Sequence, residues 1–458
     1  MRPKTVSWLL TAALAVGVLA QASDAMKAFR RTSAPSSGTA YREGEVIVVF
    51  AKAIELQEVE RTLHAGGAVA ARSGRMARLA QRYLVSLELG VSVPEAVERF
   101  SQIANVDYAE PNGIVRKSQA TSFTPNDEFF EFQWNLTLVG AERTWAIQKG
   151  QSSVGVAVLD TGVAFEDYAD PVTGQVFVKA PDWGSVTFLP GWDAVNEDAH
   201  ANDDEWHGTH VASTIAEGTN NTFGLAGLAY ECSLMPVKVL DEFGEGTFFD
   251  VAEGIDYAWS YEQGGERPVK VINMSFGADG HSETVERALD RAYESGVVLV
   301  AAAGNTGHEG IEFPARHPNV IAAGAVDVRG QRAPYSSTGP NLDLMAPGGN
   351  CSRDDDNDGE ADCVFQQMPD PDFVVQGIHS EFCLCGLDGT SMASPHIAAS
   401  AALLVSQGIT DPDSIRAALE QTANGTGAEG ERNDLTGYGL IQPAAALSGL
   451  GFNQGPVR

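Results

Sequence analysis

The sequence predicts an α/β fold with a mostly parallel central sheet and helices on both faces. After residue 126 the chain repeats short, continuous apolar runs, as expected for strands that are buried on both faces. Helical stretches separate these runs, and this alternation is typical of a parallel sheet with crossover helices. The predicted strands are 154–159, 237–240, 269–274, 297–303 and 320–326, and the predicted helices are 207–215, 249–259, 284–294 and 394–404.

A smaller α+β domain is predicted before this sheet, at residues 41–117. Its pattern predicts strands at 45–50, 83–87 and 106–112, helices at 54–63 and 93–103, and a poorly defined strand near Ala68. The order β-α-β-β-α-β indicates a ferredoxin-like unit. Polar residues 118–125 then form a junction to the large domain, which we place at 126–455.

Charge divides the chain at the same place. Residues 121–458 hold 15 basic and 50 acidic side chains, a net charge of −35, whereas residues 23–120 hold 13 and 11, a net charge of +2. An acidic surface repels phosphate backbones, so we expect no nucleic-acid partner. It favours solubility and the binding of cations.

The N-terminus predicts export. Arg2 and Lys4 precede an apolar run at 8–20, and a small-x-small pattern ends at Ala22. This pattern is typical of a signal peptide at 1–22, with an uncleaved anchor as the alternative. A polar linker at 23–40 follows, and no later stretch is apolar enough to insert stably into a membrane. We expect a secreted protein, either extracellular or periplasmic.

Three short segments supply an acid, a base and a hydroxyl in the order Asp160, His207, Ser391. A hydroxyl becomes a strong nucleophile when an imidazole takes its proton and a carboxylate holds that imidazole in the right tautomer. A capping aspartate and an N-cap serine are the plain alternatives for two of these residues. His210 is the alternative base, but it shares the helical face of His207 poorly.

An asparagine follows the predicted strand at 297–303. Asn305 ends the run Ala-Ala-Ala-Gly-Asn, and an amide at a strand end can donate to an oxyanion that forms on a substrate carbonyl. An ordinary turn asparagine is the alternative.

These four segments together resemble the subtilisin-like (subtilase) serine proteases, over roughly residues 129–450. The unit at 41–117 resembles the inhibitory propeptide of that family. The resemblance implies that Asp160 orients His207, that His207 is the general base, that Ser391 is the nucleophile and that Asn305 belongs to the oxyanion hole. It implies a monomeric endopeptidase, made as a zymogen that processes itself and acts on polypeptides.

Two further matches to the family concern the substrate. The resemblance implies a pocket for the residue before the cleaved bond, with one wall at 275–277 and the other near 303–304. It also implies that residues 244–246 pair with the substrate backbone. The residues are Ser275, Phe276, Gly277, Gly304, Gly244, Glu245 and Gly246. Because none of these motifs holds an obvious selector for a basic side chain, we expect a broad preference for bulky apolar residues. Trp206 and Ser213 depart from the family pattern.

Calcium is the expected cofactor, at two places, and no organic cofactor is expected. Asp354, Asp356 and Asp358 alternate before a glycine, as a calcium loop begins, although the acid that completes an EF-hand is missing. The loop at 219–225 resembles a calcium loop of the family, with Asn221 as a ligand. Asp127, and either Asp167 or Asp170, are expected to complete that site.

Five cysteines remain, of which four fall within an irregular insertion at 351–385. We expect Cys383 and Cys385 each to pair with one of Cys351 and Cys363, because a bond between near neighbours would strain the backbone. Cys232 is expected to be a buried free thiol.

Overall fold

The computed structural model describes residues 41–51, 56–72, 81–88, 90–113, 122–425 and 431–449. The predicted signal peptide and linker lie outside these residues. The chain divides into two compact units, residues 1–119 and 120–458. No helix in the described ranges is long and apolar enough to span a bilayer.

The first unit is a four-stranded antiparallel sheet with two helices. The sheet order β2-β3-β1-β4 includes the strand predicted near Ala68. Ser92 caps the second helix, which buries Val93, Ala96 and Phe100 at helical spacing. The elements are β1 (Tyr41–Phe50), α1 (Leu56–Ala65), β2 (Ala68–Arg72), β3 (Arg82–Leu87), α2 (Val93–Ser101) and β4 (Val106–Gly113).

The second unit is built on a parallel sheet. Its strand order is β14-β13-β12-β11-β5-β10-β8, and β9 also pairs with β10. Every residue of the three strands β5, β10 and β13 is buried, because helices and loops cover both faces. The strands are β5 (Gly155–Asp160), β6 (Tyr168–Ala169), β7 (Val176–Phe177), β8 (Thr187–Phe188), β9 (Trp192–Asp193), β10 (Ser233–Lys238), β11 (Val269–Met274), β12 (Val298–Ala302), β13 (Val320–Val326) and β14 (Leu344–Pro347).

Two pairs of helices pack on this sheet, which confirms the predicted fold class. One pair, α5 with α9, is almost wholly buried, and the other, α6 with α7, is amphipathic. The helices of this unit are α3 (Trp134–Leu138), α4 (Ala141–Trp145), α5 (His207–Ala216), α6 (Phe248–Ser260), α7 (Glu283–Glu294), α8 (Pro371–Val374), α9 (Thr390–Ser406), α10 (Pro412–Thr422) and α11 (Pro443–Gly449).

The insertion at 351–385 is more regular than we predicted. It contains most of an antiparallel ribbon formed by β15 (Val364–Pro369) and β16 (Phe382–Leu387). Five of the six residues of β15 are buried, and the strand packs on α5. The tertiary contact with α5, rather than the polar composition of the insertion, therefore decides its structure.

The predicted cysteine pairing is wrong. The sulfurs of Cys351 and Cys363 lie 2.09 Å apart, and those of Cys383 and Cys385 lie 2.04 Å apart. The Cα atoms of the second pair are 5.4 Å apart, within the usual range for a disulfide. The two sulfurs can meet because residues two apart in β16 leave the same face of the strand. Cys232 is free and buried, as predicted, and burial raises the pKa of its thiol to about 11.

Candidate active site

The side chains of Asp160 and His207 meet at the carboxyl end of β5. Asp160 is the last residue of that strand and is fully buried, while His207 is the first residue of α5. His207 Nδ1 lies 2.7 Å from Asp160 Oδ1. With Nδ1 protonated and donating to the carboxylate, Nε2 is left as the proton acceptor.

The charges around His207 favour its protonated form. Burial alone would lower the pKa of His207, but the charge and hydrogen bond of Asp160, with the charges of Glu205 and Asp203, outweigh burial and raise it to about 9. Glu205 Oε2 also accepts the His207 main-chain N–H, at 2.8 Å. An imidazolium formed when this base takes a proton is therefore stabilised from two sides.

The backbone around His207 is closely packed. Gly208 donates its N–H to Thr161 Oγ1, at 2.9 Å, and a Cβ at Gly208 would collide with the carbonyl oxygen of Gly162. Only glycine fits at this position. The alternative base, His210, is fully buried, with Nε2 2.9 Å from the Val364 carbonyl oxygen, and burial lowers its pKa to about 3.

Ser391 lies in the first turn of α9, near the imidazole-bearing helix α5. Its Oγ donates to the carbonyl oxygen of Ser275 at 2.9 Å, and Ser275 Oγ donates back to the Ser391 carbonyl oxygen at 2.9 Å. Among the described residues, no hydrogen bond joins Ser391 Oγ to His207. Rotation about the Cα–Cβ bond of Ser391 is enough to redirect this hydroxyl, since it only exchanges staggered positions.

Asn305 is held beside the start of α9. Its Oδ1 accepts both the N–H and the hydroxyl of Thr390, each at 2.9 Å. This orientation leaves Nδ2 free to donate, on the side that faces Gly389. The first turn of α9 adds main-chain N–H groups without helical partners and the positive end of the helix dipole. The result is a site that can stabilise negative charge beside the Ser391 hydroxyl.

Part of the predicted substrate segments, 276–277 and 244–246, lines one cavity of about 340 Å³, whereas Ser275 and Gly304 do not line it. Phe276 and Gly277 line it from one side, and residues 244–246 from another. Phe248 and Phe313 add aromatic surface to the cavity. The cavity is therefore suited to an apolar side chain.

The loop at 219–225 brings buried carboxylates together. Asp127 accepts the N–H groups of Asn220 and Asn221, at 2.8 and 2.9 Å. Asn221 Nδ2 donates in turn to Asp182, at 2.7 Å. Burial and the charge of Asp127, partly offset by the hydrogen bonds from Asn221 and Leu225, raise the pKa of Asp182 to about 6.

The carboxylate that lies beside Asn221 is that of Asp182 and not that of Asp170, which we predicted there. Asp170 belongs to the β6–β7 hairpin, where its carboxylate accepts from Val172 N and from Thr173. Asp167, the other alternative, accepts the N–H of Lys179. Sequence reasoning missed Asp182 because its loop carries no acidic repeat, and only the fold brings it beside Asn221.

In the second predicted cation site, one of the three grouped carboxylates differs from the prediction. Oxygen atoms of Asp354, Asp356 and Asp362 lie within 4.8 Å of one another. Asp358 does not belong to this group, and its Oδ1 accepts the N–H of Glu360 instead. The chain turns back at Gly359, so Asp362 replaces Asp358.

Comparison with known proteins identifies the family of each unit. The sequence model of the Subtilase family matches residues 151–439, and that of the Fervidolysin N-terminal prodomain matches residues 27–112. The chain belongs to the subtilase family of serine proteases, and it carries a prodomain of the fervidolysin type.

Individual relatives cover most of the chain. Thermophilic serine proteinase from Bacillus sp. (strain AK1) is 35% identical over 407 residues, 88% of each chain. Thermitase from Thermoactinomyces vulgaris is 33% identical over 326 residues, 70% of this chain and all of the relative. A solved protease structure from Pseudoalteromonas arctica PAMC 21717 is 30% identical, with a TM-score of 0.59, and covers 71% of this chain and 99% of that one.

Proposed function

We propose that this subtilase is a serine endopeptidase in which Asp160, His207 and Ser391 act together. The observation that carries the proposal is the 2.7 Å contact between the buried Asp160 Oδ1 and His207 Nδ1 on α5, which packs against the helix α9 that carries Ser391. The Ser391 hydroxyl turns from the Ser275 carbonyl toward His207 Nε2, gives up its proton and attacks the substrate carbonyl. Apo sites often lack this contact until substrate binds.

The next steps use the groups around Ser391. Asn305 Nδ2 and the Ser391 N–H donate to the oxyanion of the tetrahedral intermediate. His207 then gives its proton to the leaving amine, and the acyl-enzyme forms. Water, activated by the same imidazole, releases the acyl product.

Maturation and export complete the proposal. The unit at 41–117 is the propeptide, and we propose that it inhibits the enzyme until it is cleaved off within the junction at 118–125. A signal peptide at 1–22 directs the chain out of the cytoplasm. In the oxidising compartment outside it, the sulfur pairs described above are kept as disulfides. We propose a monomer.

Hydrolysis of casein and labelling by a fluorophosphonate test the function together. The mature protein is expected to cleave casein and to take up one fluorophosphonate, on the peptide that contains Ser391. A subtilase that has become a binding module would neither cleave nor react. Absence of both signals in folded protein would contradict the proposal.

The pH profile reports the environment of His207. Because the base must be neutral, kcat/KM is expected to fall as pH drops through about 9, the raised pKa of His207. Glu205→Gln removes a charge that favours the imidazolium, so the acidic limb of the profile should move to lower pH. Glu231→Gln, an exposed change on a different loop, is the control. An unmoved limb in the Glu205→Gln enzyme would contradict this account.

Calcium fits the group formed by the buried carboxylates of Asp127 and Asp182 and the neighbouring side chain of Asn221. Glu217 is fully buried nearby, and one of its carboxylate oxygens has no partner among the described residues. Burial and the charges of Asp182 and Asp127 raise the pKa of Glu217 well above its usual value. No lysine or arginine in the described ranges forms an ion pair with these carboxylates. A divalent cation held there would supply the missing positive charge.

Chelation tests this cation site. Excess chelator is expected to lower the melting temperature of the mature enzyme, because a ligand at 100 times its Kd adds about 2.7 kcal/mol to the free energy of unfolding. Asp182→Asn should remove most of that response. Asp354→Asn, in the second acidic group, is the matched variant and should keep it. If Asp354→Asn alone abolished the response, the stabilising cation would belong to the insertion.

A further inference from the structure

An acidic side chain from outside the predicted motifs lies between the two pocket walls. The Glu312 N–H donates to the Ala303 carbonyl oxygen at 3.0 Å. The next residue, Phe313, exchanges two main-chain hydrogen bonds with Ala278, at 2.8 and 2.9 Å. The chain at 312–313 therefore bridges the wall at 275–277 and the wall at 303–304.

The carboxylate of Glu312 occupies the space between two glycines. A Cβ added at Gly277 would collide with Glu312 Oε2. A Cβ added at Gly304 would lie 2.6 Å from Glu312 Cδ and 2.7 Å from Oε1. Both walls are thus shaped around the charged end of this side chain.

The side-chain carboxylate of Glu312 has no hydrogen-bond partner among the residues that the structure describes. Its side chain is half-buried, and among the described residues it forms no hydrogen bond and no ion pair. Burial and the charge of Asp279 raise the pKa of Glu312, and the charge of Arg316 lowers it in part. The Arg316 guanidinium nevertheless donates to the carbonyl oxygens of Ile311, Asp279 and Gly280 rather than to this carboxylate. A half-buried carboxylate without a hydrogen-bond partner gains a charge-assisted hydrogen bond when a cation enters the space between the two pocket walls.

The path along the chain from Ser391 to the Glu312 carboxylate is short. Ser275 contacts the Ser391 hydroxyl at 2.9 Å, and Gly277 faces the carboxylate. Two residues of chain span at most about 7 Å. That length suits the extended side chain of lysine or arginine, whose charge lies at its end.

We infer that Glu312 selects lysine or arginine at the residue before the cleaved bond. The inference rests on the proposed function, and it replaces the apolar preference that the sequence motifs indicated. The apolar cavity beside Phe276 is then left for a residue farther upstream in the substrate. The enzyme would cut after basic residues that follow an apolar residue.

Two fluorogenic peptides that differ only in arginine or phenylalanine before the cleaved bond test the inference. The wild type should prefer arginine. Glu312→Gln should lower kcat/KM for the arginine peptide roughly 10- to 150-fold relative to the phenylalanine peptide, the range for a hydrogen bond to a charged group. Glu309→Gln, an exposed change on the same loop, should leave the ratio as it is.

A cationic inhibitor gives a second measurement. Benzamidine should inhibit the wild type and Glu309→Gln competitively, and should inhibit Glu312→Gln much less. A wild type that is labelled by fluorophosphonate but prefers phenylalanine and ignores benzamidine would overturn the inference alone. A folded wild type that is not labelled would overturn the proposed function as well.

Discussion

Ser391→Ala is expected to lower kcat by about 10⁶-fold, a magnitude established in subtilisin itself rather than derived from this structure. Alanine removes the atom that attacks the substrate carbonyl, and the neighbouring hydroxyls of Thr390 and Ser394 donate to Asn305 and Asn273 instead. The same substitution should block removal of the propeptide, since we propose that the chain cleaves itself. Intact-mass and N-terminal sequencing of the secreted wild type beside Ser391→Ala would measure both effects and locate the cleavage site.

The control for this experiment is Ser295→Ala, at an exposed helix end away from the site. It should process and cleave casein like the wild type. Full activity in Ser391→Ala would remove the nucleophile from the proposed mechanism. Processing without casein hydrolysis would instead show that another protease matures the chain.

Asp160→Asn is expected to lower kcat by about 10⁴-fold, the scale measured for the equivalent change in a trypsin-type triad. Asp160 Oδ1 holds the proton of His207 at Nδ1 and also accepts the N–H of Thr161 at 2.8 Å. An asparagine can donate to Nδ1 instead. That hydrogen bond favours the tautomer with its proton on Nε2, which cannot accept the proton of Ser391.

A pre-steady-state measurement would separate this effect from loss of fold. Asp160→Asn should bind the arginine peptide with a KM near that of the wild type, while the rate of acylation falls. Asp256→Asn, at the partly exposed ion pair with Arg291 that joins α6 to α7, is the matched change and should have wild-type kinetics. An Asp160→Asn enzyme with wild-type kcat would show that the carboxylate has no part in orienting His207.

The sequence predicted the elements of the large unit well, because buried parallel strands and their helices leave strong apolar patterns. The strands at 269–274 and 320–326 agree with the structure at both ends. The active helix was predicted at 394–404 but begins at Thr390, since the glycine and serine before it weaken the helical pattern. The ribbon in the insertion was missed because its burial depends on α5.

For the candidate site, the sequence predicted where several polar side chains would lie. Asp160, His207 and Asn305 stand at the ends of strands or the start of a helix, where parallel topology collects them at one edge. Asp182 and Glu312 were not predicted as site residues. Each lies in a loop without a motif, and its neighbours in space are distant in sequence.

The sequence by itself determined the fold class, the order of acid, base and hydroxyl, and the prodomain. These depend on local patterns, because periodicity and short segments are readable along one strand or helix. Only the tertiary structure decided the cysteine pairs, the partner of Asn221 and the side chain between Gly277 and Gly304. Each of these depends on a contact across the fold, and the distance that makes such a contact is set by packing rather than by spacing along the chain.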